Sequence, residues 1–199
     1  MSRRMGAGLT RERVLEAGLN LVDREGVSAL TMRRLGRELG VEAMSLYGYV
    51  ASKQDLLDGV VECVYRELPR TVGSDGPWQE RLREIARGFR QVLLRHPNTV
   101  GLMAGRPWTS EASLDLVESA LTELRRCGLD VVRASQVVTV IVAFTVGHVT
   151  SEVGDRATPP DPDVSFALGL DFVVAGVERL VDSVLRSEAI EVASTRLRS

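Results

Sequence analysis

Apolar positions recur at helical spacing along this chain, in short runs cut by glycine and proline. Val14, Leu15, Leu19, Leu21 and Val22 predict a helix capped by Thr10 and stopped at Gly26. Leu30-Thr31-Met32-Arg33-Arg34-Leu35 opens a second. Thr31 is a favoured N-cap type there, with Leu30 and Leu35 at the two positions of a hydrophobic staple. Gly40 suits the left-handed residue that ends it. A third helix is predicted over 42–50, with Leu46 and Val50 on one face. A fourth opens at Ser52-Lys53-Gln54-Asp55 and carries Leu56, Leu57, Val60, Val61 and Val64. After a linker over 69–76, Pro77 stands in the first turn of a helix that reaches His96, with Pro97 as its stop. A short helical piece up to Gly105 follows, then helices of roughly 110–127 and 130–153. Pro159-Pro160-Asp161-Pro162 breaks the chain before a long helix over 163–185, and the residues after Ser187 read as a fraying tail. No Asn-Gly or Asp-Gly pair sits between alternating apolar runs. The expected fold is all-α, with a small N-terminal helix-turn-helix bundle over 10–68 and a larger helical domain over 77–187.

The segment 30–53 carries the chemistry. Its two central helices, about nine and eight residues by the helix-length argument, are too short to stand alone. Leu35, Leu39, Val41, Leu46 and Val50 supply a face to hold them. Arg33 and Arg34 fall in the first turn of the second helix and Lys53 in the first turn of the fourth. Cations there oppose the helix dipole at a cost of roughly 0.3–1 kcal/mol each. Phosphates docked at those helix ends would remove the conflict. The plainer reading is a set of solvated arginines, with Arg34 paired to Glu38 one turn on. The third helix presents Ala43, Met44 and Ser45, then Tyr47, Gly48 and Tyr49, a small surface uncharged apart from Glu42. Such a surface fits a major groove, where Ala43 or Met44 can meet a thymine methyl and Ser45 can bond a base edge. Tyrosine hydroxyls reach phosphates, while packing against neighbouring helices is the alternative for Tyr47 and Tyr49.

Charge points the same way. The whole chain has a net charge of −2, yet residues 1–53 hold nine basic against six acidic residues. An anionic partner would therefore meet the N-terminal quarter. Cys63 and Cys127 lie far apart without a C-x-x-C, so neither a disulfide scaffold nor a metal centre is expected. No apolar signal core precedes the first helix. The most apolar run, Val137–Val146, is interrupted by Thr139 and Thr145 and falls short of the ~20 residues of a bilayer span. A cytoplasmic protein is expected. The two histidines, His96 and His148, lack the partners of any hydrolase or metalloprotease motif, and no phosphate loop occurs. His96 reads as a favourable cation at a helix C-terminus. No enzyme and no cofactor are expected.

Leu30-Thr31-Met32-Arg33-Arg34-Leu35, Leu39-Gly40-Val41, Ser45-Leu46-Tyr47 and Val50-Ala51-Ser52-Lys53 together resemble the DNA-binding domain of the tetracycline-repressor (TetR) family, over about residues 10–68. Trp78, Phe89-Arg90, Leu93-Leu94, His96, Arg106-Pro107, Phe144-Thr145, Gly147 and the stretch from Phe166 to Leu180 follow the order of its tetracycline-binding members. The resemblance implies a transcriptional regulator, acting as a repressor on a palindromic double-stranded DNA operator as a homodimer and released by a small-molecule effector. It implies that Thr31, Arg33 and Arg34, with Ala43, Met44, Ser45, Tyr47, Tyr49 and Lys53, face DNA. Ala43 and Met44 stand where the tetracycline-binding members have Gln and Pro, and Tyr49 where they have His, so a different operator is implied. Two helices rich in apolar residues, 130–153 and 164–181, exceed the needs of one small domain. The first reads as buried all round; a generous core or packing against a second copy would account for both. A pocket lined by Phe89, Leu102, Met103, Arg106, Trp108, Phe144, His148 and Phe172 is expected to take an apolar or aromatic effector. Leu102-Met103-Ala104-Gly105 holds no histidine where those members bind Mg²⁺ with the drug, so Mg²⁺-tetracycline is not the expected effector. The rival reading is an interaction module of the same fold that has lost operator binding.

Overall fold

Thr10 starts the first helix as its residue type predicts: the side-chain oxygen accepts the Arg13 N–H, and α1 runs Arg11–Glu25 to Gly26. Thr31 does the same for α2, Met32–Leu39, by accepting from Arg34 N–H. Gly40 closes α2 in the left-handed conformation, φ 69°, and the Val41 N–H returns to Gly36 O at 2.9 Å. Ser52 caps α3, Lys53–Arg66, by accepting from Asp55 N–H. The computed structural model describes residues 8–68, 76–104, 111–154 and 161–196, and among these no strand occurs.

The sequence-predicted third α-helix is instead a 3₁₀ segment, Ala43–Gly48. Ser45 N–H bonds Glu42 O and Tyr49 N–H bonds Leu46 O, both three residues back. So short a segment, ending on a glycine, gains more from tight i→i+3 closure than from a single α-turn. Further on, α4 spans Trp78–Arg95, α5 Val100–Ala104 after a 3₁₀ turn at Pro97–Thr99, α6 Glu111–Arg126, α7 Val131–Val153 and α8 Pro162–Arg196. The expected frayed tail after Ser187 is helical to Arg196, because neither glycine nor proline follows Gly176.

The chain divides into two compact units. The first comprises residues 1–67 with 95–113, and the second 68–94 with 114–199. In the first, Val14, Leu21 and Val22 of α1 and Leu56, Val60 and Val64 of α3 are wholly buried, with Leu35 of α2 and Leu46 of the 3₁₀ segment. Each contributes about 1.5–3 kcal/mol over an exposed position. In the second, α4 supplies Leu82, Phe89, Val92 and Leu93, α6 supplies Leu124, and α8 supplies Phe166, Leu170 and Val174.

The reading of 130–153 as buried on every side is corrected by the structure. Only the stripe Ala134, Val137, Val138, Ile141, Thr145 and Val149 is buried, while Val131, Val132 and Val140 are exposed. The threonines do not interrupt it either. Thr139 Oγ1 donates to Ser135 O and Thr145 Oγ1 to Ile141 O, so both hydroxyls are satisfied within the helix. Against the expectation of too short a run, α7, with 23 residues, is long and apolar enough, by length and composition, to cross a membrane. What it does here is pack its buried stripe within the second unit.

Candidate functional site

The 3₁₀ geometry decides which side chains of the recognition segment face out. With three residues per turn, Ala43, Leu46 and Tyr49 fall on one side and are half-buried, buried and half-buried. Met44, Ser45, Tyr47 and Gly48 face solvent, with Met44 76% and Tyr47 47% exposed. Of the five residues expected to face DNA from this segment, the structure thus turns three outward and tucks Ala43 and Tyr49 toward the helices. Two features fix this segment. Gly36 lies so close to it that a Cβ there would stand 2.8 Å from Val41 O and 3.3 Å from Ala43 N. Arg11 of α1 clamps its far end, donating to Tyr49 O at 2.9 Å and to both carboxylate oxygens of Asp55. Asp55 also accepts from Ala51 N–H at 2.7 Å. The Arg11 guanidinium holds the Asp55 carboxyl below its ordinary range, against the opposing pull of partial burial, and the Ala51 N–H adds to the effect.

Cations of the first unit fall into two groups. Arg24 pairs with Glu38, Arg34 with Glu25 and Glu38, Arg66 with Glu62 and Arg95 with Glu67. Arg34 takes the plainer of its two expected roles in the single chain: the i,i+4 pair with Glu38 is present, and Glu25 from the end of α1 adds a second carboxylate. The Arg34 hydrogen bond is also the main cause holding Glu38 below the usual carboxylate range. Among the described residues nothing pairs with Arg33, Arg37 or Lys53, and all three are exposed. Thr31 is exposed at the α2 N-terminus, its hydroxyl engaged in the cap.

His96 follows the last residue of α4, at a helix C-terminus as expected, and its surroundings add to that. It is buried, with Nδ1 2.9 Å from Asp23 Oδ2 and Nε2 3.1 Å from Glu67 Oε1. Burial raises the Glu67 carboxyl, but His96 and Arg95 outweigh it, and Glu67 is held low. Asn98 donates to Val22 O and Asp23 O, satisfying carbonyls at the end of α1. Residues 95–98 thus brace the end of α1, 73–76 positions away in sequence, and Glu67 at the end of α3, 28 positions from Arg95, contacts that helical periodicity does not register. Arg11 and Asp55 were equally silent, although Ser52-x-x-Asp55 resembles a capping box.

The expected effector set is distributed differently from the sequence reading. Arg106 and Trp108 lie outside the described residues. Met103 is buried in the first unit, where its Sδ is 3.9 Å from the Thr99 hydroxyl, and Leu102 beside it is half-buried. Phe89 belongs to the second unit and lines an apolar cavity of about 20 Å³ with Leu82, Ile85, Ala120, Val138 and Ile141. Phe144 and His148 are packed rather than open. The Phe144 ring stacks on Phe166 at 5.3 Å and lies 5.9 Å from His148, whose Nε2 is 3.1 Å from Pro162 O. Above Phe166 lies the buried Arg90 guanidinium, 5.0 Å from the ring centroid, which grips Glu152 with two nitrogens and Asp163 with a third. Phe172 stands 71% exposed on α8 and is not among the residues lining the cavity around Phe89.

A clamped recognition turn held against a short capped helix, followed by an all-helical second unit, defines a helix-turn-helix protein. The profile described as "Bacterial regulatory proteins, tetR family" matches residues 14–60, and that described as "Tetracyclin repressor-like, C-terminal domain" matches residues 72–160. The HTH-type transcriptional repressor DrrR1 of Streptomyces coeruleorubidus is 36% identical over 147 residues, which are 73% of this chain and 54% of that protein. This chain thus spans about half the length of DrrR1. The class D tetracycline repressor protein of Escherichia coli is 33% identical over 167 residues, 79% of this chain and 76% of that protein. Among solved structures, the Streptomyces coelicolor TetR family protein ActR in complex with (S)-DNPA superposes with a TM-score of 0.78 at 26% identity, over 86% of this chain and 98% of its own. The chain belongs to the tetracycline-repressor (TetR) family of transcriptional regulators, a non-enzymatic class.

Proposed function

We propose that this chain is a ligand-released repressor, acting in the cytoplasm, that binds a palindromic operator as a homodimer. Residues 10–68 form its DNA-binding domain and 77–187 its effector-binding and dimerisation domain. One observation carries the reading. Most of the described arginines of the first unit are neutralised by carboxylates, and the described cations without a partner flank a recognition turn whose outward side chains are Met44, Ser45 and Tyr47. Arg33 and Lys53 hold phosphates at the α2 and α3 N-termini. Met44 and Ser45 read base edges, and Tyr47 reaches the backbone.

Dimerisation rests on the apolar face of the second unit. Val164, Leu168 and Phe172 recur every four residues along α8 and are 55–71% exposed, and α7 exposes Val131, Val132 and Val140. A second copy covering both faces buries them by two-fold symmetry, which presents two recognition turns to half-sites about one helical turn apart.

An apolar effector fits the cavity around Phe89, whose walls offer carbon almost throughout. At about 20 Å³ the cavity is far below the ~300–1,000 Å³ of small-molecule sites. The effector therefore selects a conformation in which α4, α6 and α7 have separated. Its preference for that conformation is what lowers DNA affinity, by a coupling of about 1–3 kcal/mol. The (S)-DNPA complex of ActR supports small-molecule control in this family.

Selection of bound duplexes from random DNA, with an Arg33→Ala/Tyr47→Ala control, tests the reading. A palindrome recovered by the wild type and lost by the control is the expected result. A folded, dimeric protein that enriches no sequence would favour the interaction module instead.

A further inference from the structure

We infer that Arg37 is an additional operator-phosphate anchor; the inference rests on the operator-binding reading above. The sides of α2 are accounted for in turn, at about 100° per residue. Leu35 is buried and Leu39 half-buried on the core side. Gly36 marks the side that abuts the recognition turn, since a Cβ there would meet Val41 O. Arg34 and Glu38 mark the side turned to the end of α1, through their pairs with Glu25 and Arg24. Arg33 and Arg37, one turn apart, occupy the remaining sector, between the recognition-turn side and the α1 side. Arg37 is therefore on the same strip as Arg33, which is proposed to hold a phosphate.

Three carboxylates of this unit are committed to other arginines. Glu25 and Glu38 serve Arg34 and Arg24, and Asp55 serves Arg11. Arg37 is left exposed with no partner among the described residues. A cation in the last turn of α2 also suits the helix dipole. That role needs no DNA and leaves the salt dependence of binding unchanged, which separates the two.

The test measures operator affinity of the full chain across a salt series for the wild type, Arg37→Ala, Arg37→Lys and Arg66→Ala. Arg66 is an exposed arginine of the same unit, already paired with Glu62, so its loss matches the change in net charge. If Arg37 holds a phosphate, Arg37→Ala lowers the slope of log affinity against log salt by about 0.9 per protomer. The loss is equal on operator and scrambled duplex, Arg37→Lys keeps the wild-type slope, and so does Arg66→Ala. An Arg37→Ala slope equal to that of the wild type overturns the anchor while leaving the operator reading intact. A wild type that binds no duplex at any salt overturns both.

Discussion

The two compact units leave opposite kinds of chemistry unmet. In the first, carboxylates neutralise Arg11, Arg24 and Arg34, and among the described residues the unpaired cations are Arg33, Arg37 and Lys53. In the second, the demanding cation is satisfied: Arg90, 8% exposed, is held by Glu152 and Asp163 over the Phe166 ring. There the unmet groups are apolar, with Phe172, Val164 and Leu168 standing in water. The energetic consequences differ. A solvated arginine costs almost nothing, so the free cations only mark where an anion would be welcome. An exposed aromatic or aliphatic side chain forgoes about 25 cal/mol for each Å² left unburied. On the proposed reading the second unit provides the driving force for assembly, and the first provides selectivity and salt dependence.

The sharpest way to break this contrast is to charge the apolar face. Leu168→Asp/Phe172→Asp puts two carboxylates where a second copy is proposed to sit, at positions exposed in the single chain, so the fold should survive. Sedimentation is expected to show a monomer. Operator affinity is expected to fall by about 10²–10⁴, the gain that linking two half-site contacts confers. A variant that remains dimeric would move the interface elsewhere. A smaller effect is expected inside the first unit. Gly36→Ala drives a methyl into backbone atoms at Val41 and Ala43 rather than into a yielding side chain. A loss of about 1–3 kcal/mol in chemical denaturation is expected, the range for overpacking. Unchanged stability would mean that the recognition turn can shift as a body.

Local features were legible in the sequence, and long-range ones were not. Thr10, Thr31 and Ser52 cap the helices their residue types announce, and Gly40 adopts the left-handed conformation. These depend on neighbours within four positions, and so did the i,i+4 pair of Arg34 with Glu38. The pairs Arg34–Glu25, Arg11–Asp55 and His96–Asp23 join residues 9, 44 and 73 positions apart, and no periodicity encodes them. The 3₁₀ form of Ala43–Gly48 escaped because apolar spacing over six residues fits three per turn as well as 3.6. The same limit split the effector set. An aromatic residue at helical spacing looks alike whether it lines a cavity, as Phe89 does, stacks on a neighbour, as Phe144 does, or faces water, as Phe172 does.

The gentlest probe of the first unit is acid. Asp55 is held ionised below the ordinary carboxylate range by the Arg11 hydrogen bond. A carboxyl depressed in the folded state stabilises fully above its unfolded value, near 4. That contribution is lost as pH falls through the folded value. Asp55→Asn keeps an oxygen for one N–H but removes the charge. The variant should therefore be less stable than the wild type at neutral pH, and the gap should close on acidification below about pH 4. Because the pair is partly solvent-exposed, the gap is expected to stay below about 1 kcal/mol. Taking the difference between the two proteins cancels the titration of Glu38, Glu67 and the other carboxylates common to both. Urea midpoints measured at matched pH values from neutral to acid check this. A gap that stays constant through the acid range would show that Asp55 works by hydrogen-bond geometry alone, and that the clamp on Tyr49 owes nothing to its charge.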